Sequence, residues 1–139
     1  MAIEAVEDFF VNRIDIGRVF EFMERSEYLF LYNIQKCMQS SDEDKVYMSE
    51  LAEQMKLSVV ETSRAVKNLE DKGYVAWKMD ENKERTYVKL TGKANEAMKR
   101  QNEIMEKAYQ RIVSEISEDE MVQTVATLGK IREIIKETA

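Results

Sequence analysis

Arg64 and Lys67 stand three residues apart in the run LSVVETSRAVKNLEDKGYV (residues 57–75), and two further cations, Lys83 and Arg85, follow shortly after it. An arginine at such a position can hydrogen-bond guanine O6 and N7 or a phosphate, whereas a lysine meets a phosphate as a point charge. Little else in the chain offers chemistry. There is no histidine, which removes the commonest general base, the usual serine and cysteine triads and nearly all zinc sites. No glycine-rich phosphate loop and no evident carboxylate pair is present. The expectation is a binding protein without metal or cofactor, and not an enzyme. The one cysteine, Cys37, excludes an internal disulfide and suits a reducing cytoplasm.

Charge sharpens this expectation. The chain of 139 residues carries a net charge of −6, yet residues 56–100 hold eleven basic against seven acidic side chains, +4, which leaves −10 for the remainder. A basic middle within an acidic surround fits a nucleic-acid reader with acidic flanking helices, and by itself fits an ordinary solvated surface equally well. The length suits one domain. No apolar run approaches a membrane span, and MAIEAVEDFF has no basic region followed by an apolar stretch, so a cytoplasmic protein is expected.

The elements that must position these cations follow from apolar spacing. Val6, Phe9, Phe10, Ile14, Val19, Phe20 and Met23 recur at helical intervals, with Gly17 as a break. Ser26 is expected to cap a second helix, EYLFLYNIQKCMQ, apolar on most of its circumference and therefore central. SSDEDK reads as a loop, VYM as a short strand, and Ser49 as the start of a short helix with Leu51, Ala52 and Met55 on one face. Ser58-Val59-Val60-Glu61 fits a capping box: the Ser58 hydroxyl accepts from the Glu61 amide, and the Glu61 carboxylate reaches back to the Ser58 amide. The helix it opens turns Thr62, Ala65, Val66 and Leu69 inward and Arg64, Lys67 and Asn68 outward, and Gly73 stops it.

YVAWKM and RTYVKLT alternate as strands across the polar turn DENKE. From Gly92 to Ile116 a long helix aligns Ala94, Ala97, Met98, Gln101, Ile104, Met105, Ala108, Ile112 and Ile116. Ser117-x-x-Glu120 then opens a last helix with Met121, Val122, Val125, Leu128, Ile131, Ile134 and Ile135. The order predicts a mainly α chain with a small β-hairpin wing (α+β), a winged helix-turn-helix. Its outer apolar stripes exceed what so small a core can cover, which points to dimerisation through both ends of the chain.

LAEQMKLSVVETSRAVKNLEDKGYV resembles the MarR family of bacterial transcription regulators, at Leu51, Ala52, Leu57, Ser58, Ser63, Arg64, Val66, Leu69, Glu70 and Gly73. YVKLTGKANEAM looks like the strand and Leu-Thr start of that family's long dimer helix, and ISEDEMVQTVATLGKIREII is similar to its last helix. The resemblance implies a single domain over 1–139, with dimerisation helices in 1–25 and 92–139 around a DNA-binding lobe at 26–91. It implies a homodimeric, sequence-specific regulator of double-stranded DNA with a palindromic operator, a repressor released by a small lipophilic ligand.

The contacts expected are Ser58, Val59, Val60, Thr62, Ser63, Arg64 and Lys67 on the helix in the major groove, and Lys83 and Arg85 on the wing. The sequence departs from the family twice. Val59, Val60 and Glu61 stand where the family has polar residues; the valines suit thymine methyls, while Glu61 suits either cytosine N4 or, more simply, the cap. In the wing, the position seven residues before Thr91, usually arginine, is Glu84, with Arg85 one step later and Asn82 in place of an aspartate. A winged-helix protein-interaction module with weak or no DNA binding is the competing reading. Cys37 reads as a core cysteine, and Met23, Phe30, Met38, Met105 and Tyr109 as core that could also line a ligand pocket, so no ligand residues are assigned.

Overall fold

Each helix in the first hundred residues ends where the backbone turns left-handed. The first long one, α1 (Arg25–Ser41), starts after an extended Glu24 and closes at Asp42, whose φ is 54°. Its start is set by acids: the Glu27 carboxylate accepts from the Glu24 amide at 3.3 Å. Ser26, expected as the cap, lies within the first turn instead, already helical and unable to close it. The computed structural model describes residues 3–5, 7, 19–20 and 22–138. The Val6, Phe9, Phe10, Ile14 and Gly17 pattern therefore lies outside the described residues.

A two-residue strand, β1 (Val46–Tyr47), leads into α2 (Met48–Met55). This helix opens one residue before Ser49, because the extended Tyr47 is its cap residue. Lys56 turns left-handed (φ 57°), and the Leu57 amide bonds the Ala52 carbonyl at 3.0 Å, redirecting the chain into α3 (Val59–Asp71). At the far end of α3 the Tyr74 amide reaches the Leu69 carbonyl at 2.9 Å over Gly73, whose φ of 82° suits glycine.

The hairpin β2 (Val75–Met79) and β3 (Thr86–Leu90) joins β1 in an antiparallel sheet of order β1-β3-β2. Val88 sits opposite both Val46 and Trp77, and alternation sends Tyr47 and Tyr87 to the other face. Leu31 and Ile34 of α1, Leu51 of α2, Val66 and Leu69 of α3, and Val46, Val75 and Val88 of the sheet form one buried core. This is the expected winged helix-turn-helix: mostly helical, with a small three-stranded wing sheet.

α4 (Gly92–Glu115) begins at Thr91, whose hydroxyl accepts from the Ala94 amide at 3.2 Å. Its first turns bury Ala94, Ala97, Met98 and Gln101. The chain divides into two compact units, Met1–Asn102 and Glu103–Ala139, so α4 runs from the first into the second. The last helix, α5 (Glu118–Thr138), is opened by the Ser117 hydroxyl, which accepts from the Glu120 amide at 3.2 Å. None of its described residues is buried, and Val122, Val125, Leu128, Ile134 and Ile135 are exposed.

Gln101 lies on the stripe expected to be apolar, and it is fully buried. Its carboxamide bonds backbone ahead of α1: Oε1 accepts from the Met23 amide at 3.3 Å, and Nε2 donates to the Val19 carbonyl. Gln101→Leu keeps the size but strands both backbone groups, so it should cost about 1–3 kcal/mol in urea unfolding.

Candidate nucleic-acid interface

Ser58 sets the start of α3. Its hydroxyl accepts from the Glu61 amide at 3.1 Å and donates to Glu61 Oε1 at 3.0 Å. The expected capping box thus closes differently, with the carboxylate bound by the hydroxyl rather than by the Ser58 amide. One consequence is local: Ser58 Oγ and the Glu61 carboxylate occupy each other.

The helical period then sorts α3 into two faces. Thr62, Val66 and Leu69 are buried, and the Thr62 hydroxyl donates to the Ser58 carbonyl at 2.8 Å. Thr62 was among the expected contacts, but it is fully buried and has no surface to present to a partner. Ser63 is half-buried, and Arg64 and Lys67 are exposed. Val59 and Val60, at the helix start, are 53% and 65% exposed.

The two cations of α3 differ in their company. Lys67 Nζ lies 3.3 Å from Asp71 and 3.4 Å from Glu70. The hydrogen bond to Asp71, first, and then Glu70 push its pKa up and hold it charged. Arg64 has no ion pair or side-chain hydrogen bond among the described residues. Lys72, just past the helix, is spent on Glu27 of α1 at 2.6 Å, and Lys93 donates to the Lys72 carbonyl at 2.6 Å. Lys56, in the turn between α2 and α3, was not among the expected contacts; it is exposed and, like Arg64, unpaired among the described residues. A lone cation between two helices was the available signal for it.

In the wing, Asp80 organises the turn: its Oδ1 accepts from the Glu84 amide at 3.2 Å, and its amide donates to the Arg85 carbonyl at 2.9 Å. Lys83 projects from the tip with φ 57° and is exposed, unpaired among the described residues. Arg85, where the turn enters β3, lies instead across the sheet against the start of α2, its side chain half exposed. Its guanidinium carbon is 3.7 Å from the centre of the Tyr47 ring, and Nη2 lies 3.4 Å from Ser49 Oγ and 3.6 Å from Glu50 Oε1. Lys45 lies 4.7 Å over the neighbouring Tyr87 ring. On the same sheet face Lys89 pairs with Asp44 at 3.0 Å, and that hydrogen bond holds the Asp44 carboxyl below its usual range. The two wing cations thus differ in company: Lys83 is unpaired among the described residues, and Arg85 lies on Tyr47 beside Glu50.

Elsewhere, no group of three or more potential metal ligands occurs among the described residues, and none of their helices is long and apolar enough to cross a membrane. A cleft of about 300 Å³ lies between α1 and α3, lined by Phe30, Ala65, Leu69 and the Glu27–Lys72 pair. Cys37 is half-buried and packs against the core. Burial, and then the Glu50 carboxylate, push its thiol pKa up, against a smaller opposing effect of Lys36.

No family model matches this sequence, and no curated protein sequence does. Solved structures do match in fold. The MepR–DNA complex of Staphylococcus aureus superposes with a TM-score of 0.71 at 17% identity, over 94% of this chain and 96% of that one. The organohalide-sensing transcriptional regulator RdhR, bound to 2,4-dichlorophenol, gives 0.71 at 20% identity, over 95% of this chain and 79% of that one. A mutant of MarR from E. coli gives 0.65 at 17% identity, over 91% and 94%.

A raised thiol pKa delays thiolate formation as pH rises. Alkylation of Cys37 by iodoacetamide should therefore keep accelerating with pH beyond the point where free cysteine levels off.

Proposed function

We propose, from the MarR-type winged-helix fold of this chain, that it is a homodimeric, sequence-specific DNA-binding regulator, a repressor released by a small lipophilic ligand. The observation that carries this reading is Arg64: a guanidinium on the outward face of α3 that is unpaired among the described residues, whereas Lys67, Lys72, Lys89 and Arg85 have acidic partners. In this reading α3 lies in the major groove, where Arg64 meets a guanine edge or a phosphate beside it. Lys67 contributes less, since its charge is already shared with Asp71 and Glu70. Lys83 neutralises backbone phosphate from the wing tip. Arg85 joins it by exchanging Glu50 for a phosphate, an exchange that exposed ion pairs permit because they are weak.

The dimer rests on the apolar surface of α5, which a single chain leaves in water. Residues 1–25 and 92–139 are assigned to dimerisation and 26–91 to DNA. Two-fold symmetry would then set two copies of α3 about one helical turn apart, roughly 34 Å, on a palindromic operator in the cytoplasm. The effector is assigned by analogy with RdhR, which shares this fold and binds 2,4-dichlorophenol. A lipophilic molecule wedged in the cleft between α1 and α3 would move the reading helix directly.

Sedimentation at micromolar concentration should give twice the 16.3 kDa chain mass; a soluble monomer would remove the basis for two half-sites. Against a duplex selected from random sequence, Arg64→Ala should cost about 1–3 kcal/mol and narrow the gap to unselected DNA. Lys83→Ala should weaken all duplexes alike and flatten the log–log salt dependence by about one unit. Arg85→Ala should flatten it by less, because Glu50 already competes for that charge. Selection that enriches no duplex would leave the protein-interaction reading in its place.

A further inference from the structure

We infer that Val59 and Val60 read thymine methyl groups, so that this chain recognises part of its operator by apolar contact where a hydrogen-bonding helix start would be expected. The inference rests on the DNA-binding reading and specifies its chemistry. Val59 and Val60 are the first two residues of α3 and are 53% and 65% exposed. They serve no evident purpose within the fold, since neither belongs to the core nor to the partly buried side chains packed against it. Branched at Cβ, they form poor helix and hold nearly fixed side-chain positions. The fold alone gives no reason to put two of them in water at the start of a helix. A rigid apolar surface, however, loses little entropy when it meets a partner.

The polar groups nearest them are engaged in the cap or buried. Ser58 Oγ both accepts from the Glu61 amide and donates to the Glu61 carboxylate, and Thr62 is fully buried. This ties one oxygen of the exposed Glu61 carboxylate to the cap. Val59 and Val60 put two isopropyl groups on the outward surface of the first turn of α3, beside the exposed Glu61, and the apolar feature of the major groove is the C5 methyl of thymine. Charge identifies the occupant. Lys56 and Arg64, unpaired among the described residues, bracket the valines in a stretch (residues 56–100) whose net charge is +4, which favours a polyanion over a protein surface.

The test exploits uracil, which pairs as thymine does and lacks only the methyl. The full-length protein selects a duplex from random sequence, and each thymine in it is then replaced singly by deoxyuridine. One or two positions in each half-site should lose roughly fourfold in affinity, the value of one buried methyl. At the same positions a cytosine should bind poorly and 5-methylcytosine should recover part of the loss. The Val59→Ala, Val60→Ala double variant should fold, because both sites are exposed and alanine is the better helix former. It should bind the thymine and uracil duplexes equally, with an unchanged salt dependence. The inference is overturned if every uracil duplex binds like the parent, if the double variant still discriminates, or if it binds the selected duplex as well as the unaltered protein does; the last result would hand the valines to a protein partner. Should no duplex be enriched at all, the DNA-binding reading falls, and this inference with it.

Discussion

A single cluster of hydrogen bonds between Gly73 and Thr91 sets the geometry on which the rest of the lobe depends. The Thr91 hydroxyl donates to the Gly73 carbonyl at 2.7 Å, its amide donates to the Tyr74 carbonyl at 3.1 Å, and its oxygen accepts from Ala94 at the start of α4. Three events meet there: α3 ends, β2 begins and α4 begins. Gly73 is required for its backbone. A Cβ built on it would meet Lys93 Cδ at 3.5 Å, an ordinary contact, so a larger residue would be opposed by the φ of 82° and not by crowding. Through this junction the wing and the outward face of α3 are referred to the same helix, which keeps Arg64 and the hairpin in fixed relation.

Given that frame, in the proposed DNA complex affinity would depend on which cations remain available, since the total charge of −6 opposes any polyanion. Lys67, Lys72, Lys89 and Arg85 all have acidic partners within the chain, whereas Lys56, Arg64 and Lys83 have none among the described residues. These pairings differ in strength. The Lys72–Glu27 pair has a partner that is largely sheltered, its side chain 13% exposed, and it ties the end of α3 to the start of α1. Lys67 and Arg85 are held by exposed acids, and water screens such pairs so that they hold only weakly. A phosphate can displace those acids but must compete with them. In the proposed complex, specificity would then fall to shape and apolar contact, the surface assigned above to Val59 and Val60.

Much of this was legible in the sequence, because the informative signals were local. Ser58 as a cap, Gly73 as a stop and the inward set Val66 and Leu69 each depend on residues within one or two turns. Ser26 and Ser49 show where that logic fails. Capping requires the residue to be extended just outside the helix, and at those two starts Glu24 and Tyr47 occupy that position. Thr62 failed for a related reason: periodicity placed it inward, residue type suggested a contact, and the two could not both hold. The remaining misses are long-range. Nothing near Gln101 announces that it will hold the Val19 carbonyl 82 residues away. Counting positions in the hairpin likewise could not reveal that Arg85 would lie on Tyr47.

The sparse chemistry of the α3 start also bears on why two copies would be needed. One half-site offers a guanidinium, a pair of isopropyl groups and one or two phosphate contacts, against a chain whose overall charge is negative. Each methyl contact discriminates by only roughly fourfold, too little to single out one site among many competitors. Joining two half-sites makes the second contact intramolecular, so the discriminations multiply without any new contact being made. That gain exists only while the two copies of α3 are held at the spacing of the operator. A small molecule that tilts one of them would then forfeit the whole multiplicative gain and not merely its own share. If the proposed function holds, a protein that reads DNA through few and weak contacts would for that reason be open to switching by a weak ligand.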